Sequence, residues 1–383
     1  MSTYLDHNAS TPLDPRVLDV MQPFLSGPYA NPSSSHRQGR AARDAVETAR
    51  TQVAAMVGAR PGNLIFTSGG TEANNLAVKG IAARGEGRLL YSAIEHPCVQ
   101  EPMDALRRVG RKVEQVAVDA DGRINLSAFG RQLSGSPVRL VSCMVANNET
   151  GVLQDIAGLA AASHKAGAVF HADAVQAAGK IAVDFPASGA DAMSLSSHKI
   201  YGPKGAGALL VNDDLDFEPL LHGGGQERGH RGGTENVAAI AGFGAAAEFA
   251  MEEMEARAAH TRRLRNRLEA ALFRQFGLRP FGAAAPRLPN TCQFAIAGVH
   301  SATLLGLLDR QGFAVSSGSA CASGTDQPSP VLLAMGVPAE LAWCAIRVSL
   351  GKDNTADQVD CFVAALDDIL REIGVRPAAV RSA

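Results

Sequence analysis

Lys199 closes the segment Ser194-Leu195-Ser196-Ser197-His198-Lys199. An alternating apolar run from Ala190 to Leu195 predicts a strand there, and Pro203 and Gly205 then break the backbone. A lysine at the end of a buried strand is poorly solvated. Its pKa falls, and the free amine can attack a carbonyl or hold one as a Schiff base. A lysine standing alone is as a rule a surface residue, so the other polar groups must decide what Lys199 does. Phe170-His171-Ala172-Asp173 ends a second predicted strand with a carboxylate, and Gln176 follows it. A buried Asp is costly without a cation or strong donors, and a protonated ring nitrogen would serve as its partner. Glu95-His96-Pro97 follows the run Leu89-Leu90-Tyr91. An imidazole there can stack on an aromatic cofactor or move protons, although packed or solvated histidines are commoner.

Further groups fall at the same kind of position. In Thr67-Ser68-Gly69-Gly70-Thr71 a strand runs through glycines into a helix, an anion cradle suited to phosphate; the same pattern also fits a plain turn with Thr71 as helix cap. Asn147-Asn148-Glu149-Thr150 closes another strand with polar groups. Arg347 is a charge on the otherwise apolar strand Ala345–Ser349 and needs a carboxylate, from a substrate or from a structural Asp or Glu. The donor-rich, cationic loop His222–Asn236, which contains Thr234, can either reach a neighbouring subunit's anion or act as a linker. Cys321 lies among small residues from Ser316 to Gly324, which fits an accessible nucleophile that must travel. Cys98, two residues after His96, is its one rival. Cys143, Cys292, Cys344 and Cys361 sit in apolar patterns and read as core residues.

The elements that must position these groups follow a βαβ rhythm. Short apolar runs at Leu64–Phe66, Leu89–Tyr91, Val113–Val118, Val138–Val145, Val169–Ala172, Ala192–Leu195 and Ala208–Val211 alternate with helical stretches. This predicts an α/β fold with a mainly parallel sheet of about seven strands flanked by helices. A loop at Asp6–Thr11 and helices from Pro15 and to about Val57 precede it. A long helix over Val237–Phe273, interrupted near Gly242 and Gly244, leads to a smaller α/β unit. The expected division is an N-terminal segment 1–14, a large unit 15–250 and a small unit 251–383 carrying the cysteine loop.

Composition narrows the partners. The chain has 383 residues, 46% of them hydrophobic, and a formal net charge of −2. That charge gives no long-range attraction for nucleic acid or acidic membranes, so a small-molecule site is expected. The N-terminus has no signal-peptide pattern, no apolar run approaches spanning length, and the six cysteines form no Cys-x-x-Cys pair. A cytoplasmic protein without a structural zinc is expected.

Taken together, Thr67 to Asn75, Glu95-His96-Pro97, Ala146 to Val152, His171 to Lys180, Ser196 to Gly207, His222 to Asn236, Ser316 to Ser323 and Arg347 to Gly351 resemble the class V aminotransferase-type pyridoxal-phosphate enzymes of fold type I. Within them they look most like the cysteine desulfurases of the NifS and IscS kind. The resemblance covers nearly the whole chain. It implies that Lys199 carries pyridoxal 5'-phosphate, that Asp173 pairs with its ring nitrogen, and that His96 stacks on the ring and assists proton transfers. Gln176 would bond the ring hydroxyl, while Gly70, Thr71, Ser196 and His198 hold the phosphate, with Thr234 supplied by the partner subunit of a homodimer. Asn148 and Arg347 would take the carboxylate of L-cysteine, and Cys321 would receive its sulfur as a persulfide, leaving alanine. The sulfur would pass to an acceptor or scaffold protein for iron-sulfur cluster assembly or another sulfur-dependent biosynthesis. Selenocysteine lyase, another class V lyase or transaminase, and a non-catalytic sulfur carrier are the competing readings. Gly232 departs from the family pattern, as does the end of the chain soon after its last helix, which leaves the acceptor open.

Overall fold

A computed structural model describes residues 2–27, 29–318 and 327–375. After β1 (Thr3–Tyr4), seven strands form one sheet: β2 (Leu64–Thr67), β3 (Arg88–Ser92), β4 (Val113–Val116), β5 (Val138–Met144), β6 (Val169–Asp173), β7 (Ala192–Ser196) and β8 (Gly207–Val211). Their spatial order is β2-β8-β7-β6-β5-β3-β4, and only β8 runs against the rest. Strands β2, β3, β7 and β8 are buried along their whole length. A strand covered on both faces needs no polar alternation, which is why these segments read as short apolar runs.

The pleat divides the side chains between two cores. Leu64, Phe66 and Leu210 face α1 (Pro15–Ser26), α2 (Arg37–Met56) and the start of the long helix Val237–Phe276. Ile65, Leu89 and Leu209 face α3 (Gly70–Ala83) and α4 (Pro97–Arg108).

The long helix differs from the sequence expectation. It runs for 40 residues without a break at Gly242 or Gly244. A Cβ on Gly242 would lie 2.7 Å from the Met21 side chain, and one on Gly244 2.6 Å from Ala49 Cα. These glycines let helices approach closely, and the surrounding contacts outweigh their intrinsic cost in a helix.

The far end of that helix enters another core. Leu264, Leu268 and Leu272 pack with Leu5, with β9 (Thr291–Ala295), β10 (Phe313–Ala314) and β11 (Ala345–Ser349), and with the helix Ala356–Glu372. Strands β9 and β11 pair antiparallel, and β1 pairs parallel with β10. The first residues of the chain are therefore tied to its last third.

The loop before the long helix is anchored through a buried ion pair. Arg50 Nη1 and Nη2 each donate to Glu227 at 2.8 Å, and the Phe66 N–H donates to the same carboxylate. Glu227 and Arg228 have φ of 44° and 57°, in the left-handed region that costs a residue with a side chain free energy. The ion pair and the β2 backbone hold that conformation. Gly232, the departure from the family pattern, packs against Gly223: a Cβ on it would lie 2.6 Å from Gly223 Cα.

Candidate active site

The parallel strands end on one edge of the sheet, where open α/β folds gather their functional groups. β6 delivers Asp173, β7 runs into Ser196-Ser197-His198-Lys199, β3 leads to His96, β5 to Asn148, and β2 to Gly70 and Thr71. Side chains from all five strand ends line one cleft of about 700 Å³. A second lobe shares His96, Asn148, Gln176 and Lys199 with it and adds Arg347.

Lys199 Nζ donates to the Asn8 carbonyl at 2.6 Å and to the Ala9 carbonyl at 2.8 Å. Asp173 is buried and accepts from the Val175 N–H at 2.9 Å and from Asn74 Nδ2 at 2.8 Å. Burial raises its pKa, which these donors and the Lys199 charge oppose. The donors that contact it are neutral, so a cation would complete the site.

His96 caps α4: its Nδ1 accepts the Cys98 N–H at 3.1 Å, which places the proton of the neutral ring on Nε2. Burial, then the charges of Lys199 and Arg347, lower its pKa to about 4. The Cys98 thiol sits 3.0 Å from the same nitrogen and accepts from Asn74 Nδ2 at 2.9 Å, so this thiol belongs to the cleft wall. Below them, Glu95 is buried and accepts the Met144 N–H at 2.6 Å. Burial, then the Asp173 charge, pushes its pKa well up.

At the other end of the cleft, no side chain caps α3, whose N-cap is Gly69. A Cβ on Gly70 would lie 2.8 Å from Val175 Cγ2 and 3.4 Å from Ser196 Cβ. Ser196 Oγ is buried without a hydrogen-bond partner. A helix N-terminus, a space kept by glycine and an unsatisfied hydroxyl together make a cradle for an anion. His198 borders it, with its pKa lowered to about 4 by burial and by neighbouring lysines.

Arg347 is fully buried. Its Nη2 donates to Asp6 Oδ1 at 2.6 Å and its Nη1 to the carbonyls of Asn148 and Gly318. The structural carboxylate that the sequence left open is thus Asp6. Thr234 is exposed and is not among the residues lining the cleft. Cys321 lies outside the described residues.

A model of the family "Aminotransferase class-V" matches residues 3–362. The chain belongs to the class-V aminotransferase family. A cysteine desulfurase of Cereibacter sphaeroides is 44% identical over 375 residues, covering 97% of this chain and 96% of that protein. Among solved structures, a NifS-like protein has a TM-score of 0.91 at 37% identity, covering 97% of this chain and all of that one. SspA in complex with cysteine has a TM-score of 0.81 at 32% identity, covering 93% of this chain and 100% of that chain.

Within this class-V chain, sequence reasoning missed Asn8, Asn74, Lys180 and the placement of Asp6. Asn8 joins the parts of the site. Its side chain donates to the Asn148 carbonyl and Thr291 Oγ1 and accepts from Lys180, and its carbonyl accepts from Gln176 and Lys199. The one signal was the density of polar residues in Asp6-His7-Asn8, within a segment that reads as a loop. Among the described residues no cluster of His, Cys, Asp and Glu could hold a metal, and no helix is long and apolar enough to cross a membrane.

Proposed function

We propose that this protein is a pyridoxal-phosphate-dependent cysteine desulfurase, converting L-cysteine to L-alanine and retaining the sulfur on Cys321. The observation that carries the reading is Lys199, Asp173 and His96 meeting in one cleft beside the unsatisfied Ser196 hydroxyl, in a chain similar to cysteine desulfurases over nearly its whole length. The cleft fits the cofactor at both ends. Gly70, Thr71, Ser196 and His198 would hold the phosphate, and Asp173 would meet the ring nitrogen.

Bound at Lys199, pyridoxal phosphate supplies an electron sink for negative charge developing at the substrate α-carbon. Arg347 and Asn148 hold the substrate carboxylate and so direct the α-hydrogen toward Lys199, whose neutral amine takes that proton. His96, neutral and with its proton on Nε2, holds the ring face and offers a hydrogen-bond donor to the substrate side of the cleft. The Cys321 thiolate forms an S–S bond to the substrate sulfur as the C–S bond breaks. The electron pair of that bond stays with the β-carbon, which takes a proton; return of a proton from Lys199 to the α-carbon completes alanine, and the persulfide remains on Cys321.

The protein acts as a homodimer. Leu13, Leu18, Val20, Leu25, Tyr29 and Met251 are exposed on and beside α1 and on the long helix, an apolar set that a second copy would cover. Thr234, away from the cleft of its own chain, then reaches the partner's phosphate. The reading sets the protein in the cytoplasm, where an acceptor protein would take the persulfide sulfur for iron-sulfur clusters or another sulfur-dependent product. Purified protein loaded with pyridoxal phosphate should form alanine from L-cysteine and carry a persulfide. Cys321→Ala should bind the cofactor and form no persulfide. Unchanged sulfide release by that variant would favour a lyase without a sulfur-carrying cysteine.

A further inference from the structure

Lys180 is a largely enclosed amine with no part in the chemistry above. Its Nζ donates to Gln176 Oε1 at 2.7 Å and to Asn8 Oδ1 at 3.0 Å. An ammonium so placed can only donate, and the Asn8 carbonyl on the other side of the amide can only accept, so the Gln176 amide turns its oxygen toward Lys180. Gln176 Nε2 spends one hydrogen on the Asn8 carbonyl at 2.9 Å. What the amide has left to offer the cleft is its second Nε2 hydrogen. The same Asn8 carbonyl accepts from Lys199, so Lys180, Gln176, Asn8 and Lys199 form one connected network.

We propose that Lys180 is a positioning residue of this site, locking the Gln176 amide so that it presents a donor, and not an acceptor, to the ring oxygen of pyridoxal phosphate. The proposal rests on the reading of the cleft as a site for that cofactor. A ring oxygen carrying negative charge needs a donor. A flipped amide would set two acceptors against each other.

The surroundings of Lys180 agree with this role. Its described hydrogen bonds go to uncharged amides and none to a carboxylate. Burial, then the like charges of Lys199 and Arg347, push its pKa well below the ordinary lysine range. His7 and His198 are lowered to about 4 by burial first, with the Lys180 charge adding to it, for His198 after those of Lys199 and Lys204. Arg257 and Lys352, across the cavity behind Lys199, are paired with Glu253 and Asp14. Asp173 faces Lys199 from the next strand. Protons on Lys180 and Lys199 are therefore coupled, and removing Lys180 also removes a like-charge neighbour of Lys199.

The test uses the full-length protein stripped of cofactor and reloaded with pyridoxal phosphate. Wild type, Lys180→Met, Lys180→Arg, Gln176→Leu and the Lys180→Met/Gln176→Leu double variant are compared by cofactor dissociation constant and by the pH midpoint of the bound cofactor's absorbance change. Lys180→Met should weaken cofactor binding by about tenfold, the loss of one hydrogen bond to a charged group. It should also raise the midpoint by about one pH unit, because a lost donor to the anionic oxygen and a lost like charge both favour the protonated form. Lys180→Arg should restore most of both. In the Gln176→Leu background the loss of Lys180 should weaken binding by less than about threefold, since the network is already broken. Lys180→Met with wild-type affinity and midpoint, or fully additive effects in the double variant, would overturn the role of Lys180 alone. A wild type that takes up no pyridoxal phosphate would overturn the functional reading and this proposal together.

Discussion

Arg347 and Asp6 are joined at 2.6 Å across 341 residues of sequence, and Arg347 lines the lobe that adjoins Lys199 and His96. Under the proposed function, a substrate carboxylate reaching Arg347 would meet a guanidinium that already has an anionic partner. Asp6→Asn should lower the KM for L-cysteine several-fold, because it removes the competing charge, and should lower folding stability by about 2–3 kcal/mol through the unpaired buried Arg. Arg347→Gln should raise KM at least about tenfold. Steady-state alanine formation measures both, and a raised KM in Asp6→Asn would make Asp6 part of the substrate site.

Two lysines near the end of β7 separate placement from proximity. Lys199 borders the cleft and Lys204 is exposed in the turn beyond it. Lys199→Ala should abolish the absorbance of the covalently held cofactor, and Lys204→Ala should keep it. The reverse outcome, read from the visible spectra of the two reconstituted variants, would move the anchor to Lys204.

His171 lies under the sheet edge between Ser142 Oγ and Ser194 Oγ, at 2.8 and 2.9 Å, and burial lowers its pKa to about 3. A histidine lowered in the folded state adds stability that is complete above its unfolded pKa near 6.5 and is lost as pH falls through the folded value. Unfolding at pH 5 therefore takes up a proton at His171. His171→Gln should reduce that uptake by about one proton, seen as a shallower fall of denaturant stability between pH 6 and 4. Because His96 is lowered to about 4, its titration should be absent from the activity profile above about pH 5.5.

Gly207 begins β8 directly against the turn that precedes α3. A Cβ there would lie 2.5 Å from Gly69 C and 2.6 Å from Gly69 Cα, main-chain atoms that cannot rotate away. Gly207→Ala should cost about 1–3 kcal/mol. It should also weaken cofactor binding more than Gly205→Ala, whose Cβ meets nothing within 4 Å and whose cost is confined to the backbone strain of its φ of 83°. Thermal unfolding and cofactor titration of the two variants distinguish the effects.

Much of this site was legible because a parallel sheet places its chemistry at strand ends. Lys199, Asp173, His96, Asn148 and the Gly70–Thr71 turn each follow an apolar run, and a common sheet edge brings them into one cleft. Asp6 and Asn8 were not legible, since nothing in a polar N-terminal stretch reveals a pairing with β10 or a hydrogen bond to Thr291. Lys180 was hidden in the same way: its partners are Asn8 and Gln176, and only the first is remote in sequence. Gly242 and Gly244 misled for a different reason. Helix propensity is a local quantity, and the close approach of Met21 and Ala49 decides those positions.

The pairing of β1 with β10 and the reach of Asn8 to Thr291 and Ser349 fix an order of assembly. The pairing with β10 and the bonds to Thr291 and Ser349 can form only when those residues have left the ribosome, whereas Thr11 and Asp14 find His198 and Tyr201 much earlier. Until residue 347 is made, the lobe beside Lys199 lacks its guanidinium and Asp6 lacks its partner. Long-range closures of this kind come late in folding. A nascent chain can thus build its sheet and seat Lys199 on the Asn8 and Ala9 carbonyls before the Arg347 lobe exists, so the two halves of the cleft are completed at different times.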